Sequence, residues 1–142
     1  MGEDRLQQFG EINASEIMVK NPLFITPDEK ISKTELLMLR KKIGGLPVIK
    51  DQKNRQLIGI ITQRDIRLAR FAMNLESPKT TVKDLMTSEP FVVKRDEVVR
   101  NILKLMFEKK IQRLPVVNDN GQLIGLIVQH QILKKLYEFM KN

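Results

Sequence analysis

The chain has no cysteine, no tryptophan and a single histidine, His130. Without cysteine there can be no disulfide, no thiol nucleophile and no thiolate metal ligand, and a reducing interior is the compatible setting. One histidine and no clustered carboxylates leave nothing from which to build a metal site. Aromatic residues are 5% of the chain, too sparse for the stacking platforms of single-strand nucleic-acid binders. Long apolar runs are also missing. Leu123-Ile124-Gly125-Leu126-Ile127-Val128 is among the longest and falls far short of the ~20 residues of a membrane helix. The opening Met1 to Leu6 mixes charges, which predicts no secretory leader, and Leu6 stands where a myristoylation motif needs Ser or Thr. No glycine-rich phosphate loop ending in Lys-Ser/Thr, no Gly-x-Ser-x-Gly and no histidine pair is present. These absences predict a soluble cytoplasmic protein that spans no membrane, is not an enzyme and requires no cofactor.

What is present is ordinary for a folded domain: 42% apolar and 30% charged residues in a chain of 142. The net charge of +8 is spread along the whole length. Such an excess suits anionic partners, whether nucleotides, nucleic acid or acidic protein surfaces, and it equally suits plain solubility.

The organising feature is an internal repeat. Displacing the sequence by 68 residues sets Met18 on Met86, Pro22 on Pro90, Asp28-Glu29 on Asp96-Glu97 and Met38 on Met106. Lys41-Lys42-Ile43 then meets Lys109-Lys110-Ile111, and Leu46-Pro47-Val48 meets Leu114-Pro115-Val116. Removing two residues after Asp51 brings Gln56-Leu57-Ile58-Gly59 onto Gln122-Leu123-Ile124-Gly125. A period this long marks a duplicated supersecondary unit. The repeats are placed at 10–75 and 81–142, with a linker over 76–80. Neither half, alone, should bury enough surface to be comfortable.

Each repeat reads as β-α-β-β-α, an α+β unit. Leu23–Thr26 and Phe91–Lys94 are the expected first strands, and Asp28 and Asp96 stand where helix N-caps are expected. Val99, Ile102, Leu103, Met106 and Phe107 have amphipathic helical spacing. In the first repeat Thr34 and Glu35 interrupt the matching stripe, and sequence alone offers no reason for Glu35. Strands are expected at Leu46–Ile49, Leu57–Thr62, Leu114–Val117 and Leu123–Val128, joined by turns at Asp51–Arg55 and Asp119–Gly121. Closing helices follow from Arg64 to about Asn74 and from His130 to Lys141. Lys41-Lys42 and Lys109-Lys110 fall near helix C-termini, where cations offset the helix dipole.

Ile17-Met18, Leu46-Pro47-Val48 and Gly59-Ile60-Ile61-Thr62-Gln63-Arg64-Asp65, with Leu85-Met86 and Leu114-Pro115-Val116 in the second copy, resemble the cystathionine-β-synthase (CBS) domain pair, or Bateman module. The resemblance covers about residues 15 to 140. It implies two repeats packed about a pseudo-two-fold axis, nucleotide clefts between them, and pairing of such modules into dimers. It also implies a sensor that regulates an enzyme or transporter, here as a stand-alone pair acting on a separate, unknown protein target.

Thr62 and Asp65 sit at a strand-to-helix junction. A carboxylate can accept from both ribose hydroxyls, and a threonine hydroxyl can reach ribose or phosphate; free N–H groups at the helix start add to this. The alternative is that Thr62-x-x-Asp65 only caps its helix. The second repeat has Val128 and Gln131 there, so the helix start does not require the pair, and one good site per chain is expected. By resemblance, adenine would lie against Ile25, Thr26 and Gly45-Leu46-Pro47, and phosphate would be met by Gln112, Arg113 and His130 of the other repeat. Gln112 replaces a histidine frequent in the family, and Gly44 offers no charge where a basic residue often stands.

The ligand expected is AMP, ADP or ATP, with S-adenosylmethionine sharing the same adenosine handle. A homodimer through apolar helix positions, including Leu36, Leu37, Leu39, Phe107, Leu136 and Phe139, is expected as well. The competing function is a basic nucleic-acid or ribosome-associated binder using the pair as a scaffold.

Overall fold

Proline positions and paired backbone segments decide where the elements start and stop. The computed structural model describes residues 2–73 and 78–141. Residues 76 and 77 of the expected linker, and Asn74 of the expected helix, lie outside the described residues. The elements run α1 (Gly2–Gly10), α2 (Ala14–Ile17), β1 (Val19–Lys20), α3 (Ile31–Lys41), β2 (Gly45–Ile49), β3 (Leu57–Thr62) and α4 (Gln63–Met73). They continue with α5 (Val82–Leu85), β4 (Thr87–Ser88), α6 (Val99–Lys109), β5 (Arg113–Val117), β6 (Leu123–Val128) and α7 (Gln129–Lys141).

The chain forms two compact units that are not cut where the sequence repeats are cut. One is continuous, Leu23–Pro90; the other joins the chain up to Pro22 to the chain from Phe91 onward. Each carries a three-stranded antiparallel sheet, in the orders β2-β3-β4 and β1-β6-β5. The segment that opens each repeat therefore completes the sheet of the other: Val19 pairs with Leu126, and Thr87 pairs with Ile60.

Leu23–Thr26 and Phe91–Lys94 do not form strands. Each contributes one isolated parallel bridge, Ile25 to Val48 and Val93 to Val116. The reason lies in the neighbouring strand. Ile25 donates to the Pro47 carbonyl (3.0 Å) and accepts from Ile49 N–H (3.0 Å). The next rung would need an N–H from residue 47, and proline has none. Pro115 stops the second ladder in the same way, after Val93 N–H to Pro115 O (3.1 Å) and Val117 N–H to Val93 O (3.0 Å).

Asp28 and Asp96 are not N-caps. The caps are Lys30 and Val98, neither with a side-chain cap bond. Helix entry is delayed because the preceding residues are paired elsewhere. Ile31 N–H donates to Thr80 O (3.1 Å) and Val82 N–H to Glu29 O (2.9 Å), bridging Lys30 to Thr81. Ala14 N–H to Glu97 O (2.7 Å) and Val99 N–H to Ile12 O (2.8 Å) do the same at Val98. Asp28 instead accepts the Thr26 hydroxyl (3.0 Å).

The core of the continuous unit is built on Ile31, Met38, Leu46, Val48, Ile61, Ile66 and Val82. The other unit buries Val99, Ile102, Met106, Leu114, Val116, Ile127 and Ile132, and α1 adds Phe9, whose ring meets Phe139 at 5.8 Å. Phe107 is exposed (68%), so the expected α6 stripe ends at Met106. Thr34 is fully buried without cost because its hydroxyl donates to the Lys30 carbonyl (2.9 Å). Lys42 and Lys110 close α3 and α6 in the left-handed conformation (φ 55° and 56°).

Candidate functional site

Thr62 is the last residue of β3 and Asp65 stands in the first turn of α4. The Thr62 N–H and hydroxyl both donate to Asp65 Oδ2 (2.9 and 3.0 Å), and Asp65 N–H donates back to Thr62 Oγ1 (3.1 Å). This is a reciprocal capping box. Thr81 and Asp84 make the same box at α5, with 2.9 and 3.1 Å bonds to Asp84 Oδ2. The Thr-x-x-Asp pattern thus has a structural use in this fold, as the cap alternative anticipated. The box engages one carboxylate oxygen only; among the described residues Asp65 Oδ1 accepts no hydrogen bond. The helix start is less open than expected, since Gln63 N–H is taken by Gly44 O (2.9 Å) and Asp65 N–H by Thr62.

The register of β2 adds a feature that residue types did not announce. Pro47 O and Ile49 N–H face Ile25, so odd-numbered residues of β2 point their backbone groups away from β3. Gly45 shares that parity. Its partner across the ladder is Thr62, whose N–H is committed to Asp65. The Gly45 N–H and C=O therefore face the outer edge of β2, where no turn, loop or cap bond reaches them. Buried backbone groups in native proteins are almost always paired, so an open donor–acceptor pair marks a place for a polar edge from outside. The signal was available in sequence: a proline inside a strand must turn its missing N–H toward an edge, which fixes the parity of its neighbours.

Within the continuous unit Gly45, Leu46, Thr62 and Asp65 lie at one end of the sheet, Pro47 sits mid-strand, and Ile25 bridges Val48 further along β2, so that Thr26 follows toward Ile49, away from Gly45. Leu46 (1% exposed) turns its side chain into the core, so this segment offers a ligand its backbone. Thr26 is held by Asp28. Gln112, Arg113 and His130 share the matching end of the other unit. Gln112 O accepts from Gln129 N–H (2.9 Å), and Arg113 pairs with Val128 at the start of β5. Burial lowers the Arg113 guanidinium pKa from its ordinary value, and it forms no ion pair among the described residues. His130 is exposed in the first turn of α7, which starts without a capping pair at Val128 and Gln131.

A depression of about 460 Å³ lies elsewhere, between α3 and α4, lined by Glu35, Leu36, Leu39, Arg67 and Arg70 among others. Its wall explains Glu35, which receives two hydrogen bonds from Arg70 (2.9 and 2.6 Å). Those bonds lower the Glu35 pKa, against desolvation, which raises it. Among the described residues no group of three or more acidic, histidine or cysteine side chains could hold a metal, and no helix is long and apolar enough to cross a membrane.

Duplicated α+β units, each with an antiparallel sheet, a Leu-Pro-Val strand and a Gly-containing partner strand, define a tandem repeat module. The sequence profile of the CBS domain matches residues 14–71 and 82–138, and the chain belongs to the CBS domain family. It is 32% identical over 134 residues to inosine-5′-monophosphate dehydrogenase of Methanocaldococcus jannaschii, covering 94% of this chain and 25% of that protein. The same-named protein of Streptococcus pyogenes serotype M3 is 37% identical over 123 residues, 86% of this chain and 24% of that one. The chain thus spans about a quarter of the length of these relatives. Among solved structures, CBSX2 in complex with AMP superposes with TM-score 0.80 at 28% identity, covering 92% of this chain and 98% of that chain. The CBS pair of protein MJ0100, in complex with 5′-methylthioadenosine and S-adenosyl-L-methionine, gives 0.78 at 26%, covering 89% and 97%.

Proposed function

We propose that this chain is a regulatory module that binds an adenine nucleotide (AMP, ADP or ATP) at the end of the β2-β3 sheet and passes the occupancy to a target protein as a homodimer. The observation that carries this reading is the Gly45 N–H and C=O facing away from β3, on the residue that pairs with Thr62, whose capping partner Asp65 leaves Oδ1 uncommitted among the described residues. Adenine presents a ring nitrogen acceptor next to an amino donor, which complements a backbone N–H and C=O on one strand edge. A carboxylate oxygen left over from a capping box is a charge-assisted acceptor for ribose hydroxyls. The ligands named for CBSX2 and MJ0100, AMP, 5′-methylthioadenosine and S-adenosyl-L-methionine, all carry adenosine, which supports the class.

Calorimetric titration with AMP, ADP, ATP and S-adenosylmethionine at two salt concentrations tests it. Saturable binding of one nucleotide that survives added salt is expected. Binding only to nucleic acid, weakening steeply with salt through counterion release, would overturn it in favour of the basic-scaffold reading that the +8 charge suggests.

A further inference from the structure

Each sheet ends in a strand of two residues, β1 or β4, and each is preceded by a methionine whose sulfur rests on a glycine. Met86 packs on Gly59: a Cβ added there would lie 2.8 Å from Met86 Sδ and 2.8 Å from the Thr87 carbonyl oxygen. Met18 packs still more closely on Gly125. The other anchors of the strands themselves are slight. Val19, Lys20, Thr87 and Ser88 are exposed, and each strand pairs through two residues only. Met18 and Met86 are half-buried, at the rim of their cores.

We infer that Met18 and Met86 are peroxide-sensitive latches, whose conversion to sulfoxide releases β1 and β4 from their sheets. The thioether sulfur attacks one oxygen of hydrogen peroxide, the O–O bond breaks, a sulfoxide forms and water leaves. Sulfur loses two electrons and the peroxide gains them. The product is polar and larger than the thioether and accepts hydrogen bonds without donating any. At Gly59 the seat holds the Thr87 carbonyl, another acceptor, so the new oxygen meets repulsion where the soft sulfur had contact. A two-residue strand has little else to resist with.

Three of the other methionines supply internal controls, because Met140 is 72% exposed while Met38 and Met106 are 1% and 2% exposed. The full chain is treated with graded hydrogen peroxide, sulfoxide is mapped by peptide mass, and amide exchange is followed across 17–20 and 85–88. Met140 should oxidise first without effect on exchange. Met18 and Met86 should follow, with exchange at 19–20 and 87–88 rising at least tenfold while β5 and α6 stay protected. Unchanged exchange after both are oxidised overturns the inference, as does their oxidation only in step with Met38 and Met106. The Met18→Leu/Met86→Leu variant should keep both strands protected at the same dose. Equal loosening of that variant would likewise refute the latch.

Discussion

Glu35 and Arg70 join α3 to α4 through a two-pronged ion pair, at the positions where the second repeat has Leu103 and Leu136. Both of those leucines pack on the core of their own unit. The matching positions are thus an ion pair in one repeat and apolar core contacts in the other.

That difference predicts a pH-dependent contribution from Glu35 and Arg70 that has no counterpart at Leu103 and Leu136. The Glu35 pKa is lowered from its ordinary 4.5, so the pair's contribution is complete above that value and fades as pH falls through the folded-state pKa. Both side chains are more than a third exposed, which limits the gain to under about 1 kcal/mol. Glu35→Leu/Arg70→Leu, copying the other repeat, should stay within about 1 kcal/mol of wild type at neutral pH. It should also flatten the loss of stability below pH ~5. Urea unfolding across that range checks both, and an unchanged acid slope would refute the assignment.

The two chain crossings suggest a stabilising change. Asn21 and Glu89 occupy matching positions before Pro22 and Pro90, with φ of 48° and 50°. Asparagine tolerates the left-handed region and glutamate does so less readily. Glu89→Asn is expected to stabilise by about 0.5–1 kcal/mol and Asn21→Glu to destabilise by a similar amount. Opposite signs in chemical denaturation support the conformational account; a common sign would refute it.

The duplication, the four longer strands and the closing helices were legible in sequence because short continuous apolar runs, helical spacing and a 68-residue echo report burial directly. The failures share one physical cause. Asp28, Asp96 and the runs at Leu23 and Phe91 have the right local chemistry, but backbone pairing with distant segments, or a proline's missing N–H, decided the outcome. Nor could propensity show that residues before Pro22 complete the sheet of the second repeat, since Val19 and Lys20 carry no apolar pattern. At the site, Thr62 and Asp65 were visible from residue type, whereas the edge at Gly45 follows from the strand parity that Pro47 fixes.

Self-association should use the helical faces. Leu39 (72%), Leu68 (55%) and Phe71 (92%) are exposed on α3 and α4, and Phe107 and Tyr137 on α6 and α7, more apolar surface than a monomer usually leaves in water. Leu37, Leu136 and Phe139, also expected there, pack against their own cores instead. Sedimentation at micromolar concentration should give a dimer, and Leu39→Glu/Phe71→Glu should give monomers that keep their circular dichroism. A 16.5 kDa species in the wild type would defeat the prediction.

The nucleotide site can be separated from helix capping because the continuous unit contains two copies of one capping box. Asp65→Ala and Asp84→Ala each remove the acidic arm of a Thr-x-x-Asp box, and each should cost about 1 kcal/mol of stability. Only Asp65 is proposed to hold ribose through its remaining oxygen, a charge-assisted contact worth ~1.5–3 kcal/mol per bond. Nucleotide affinity should therefore fall at least tenfold in Asp65→Ala and stay at the wild-type value in Asp84→Ala. Gln131→Ala, at the matching position before the core residue Ile132, should change neither quantity appreciably. Melting curves and calorimetric titrations of the three variants give both readouts on the same samples. If Asp65→Ala and Asp84→Ala lose stability alike and bind nucleotide alike, the carboxylate at position 65 is a cap and nothing more.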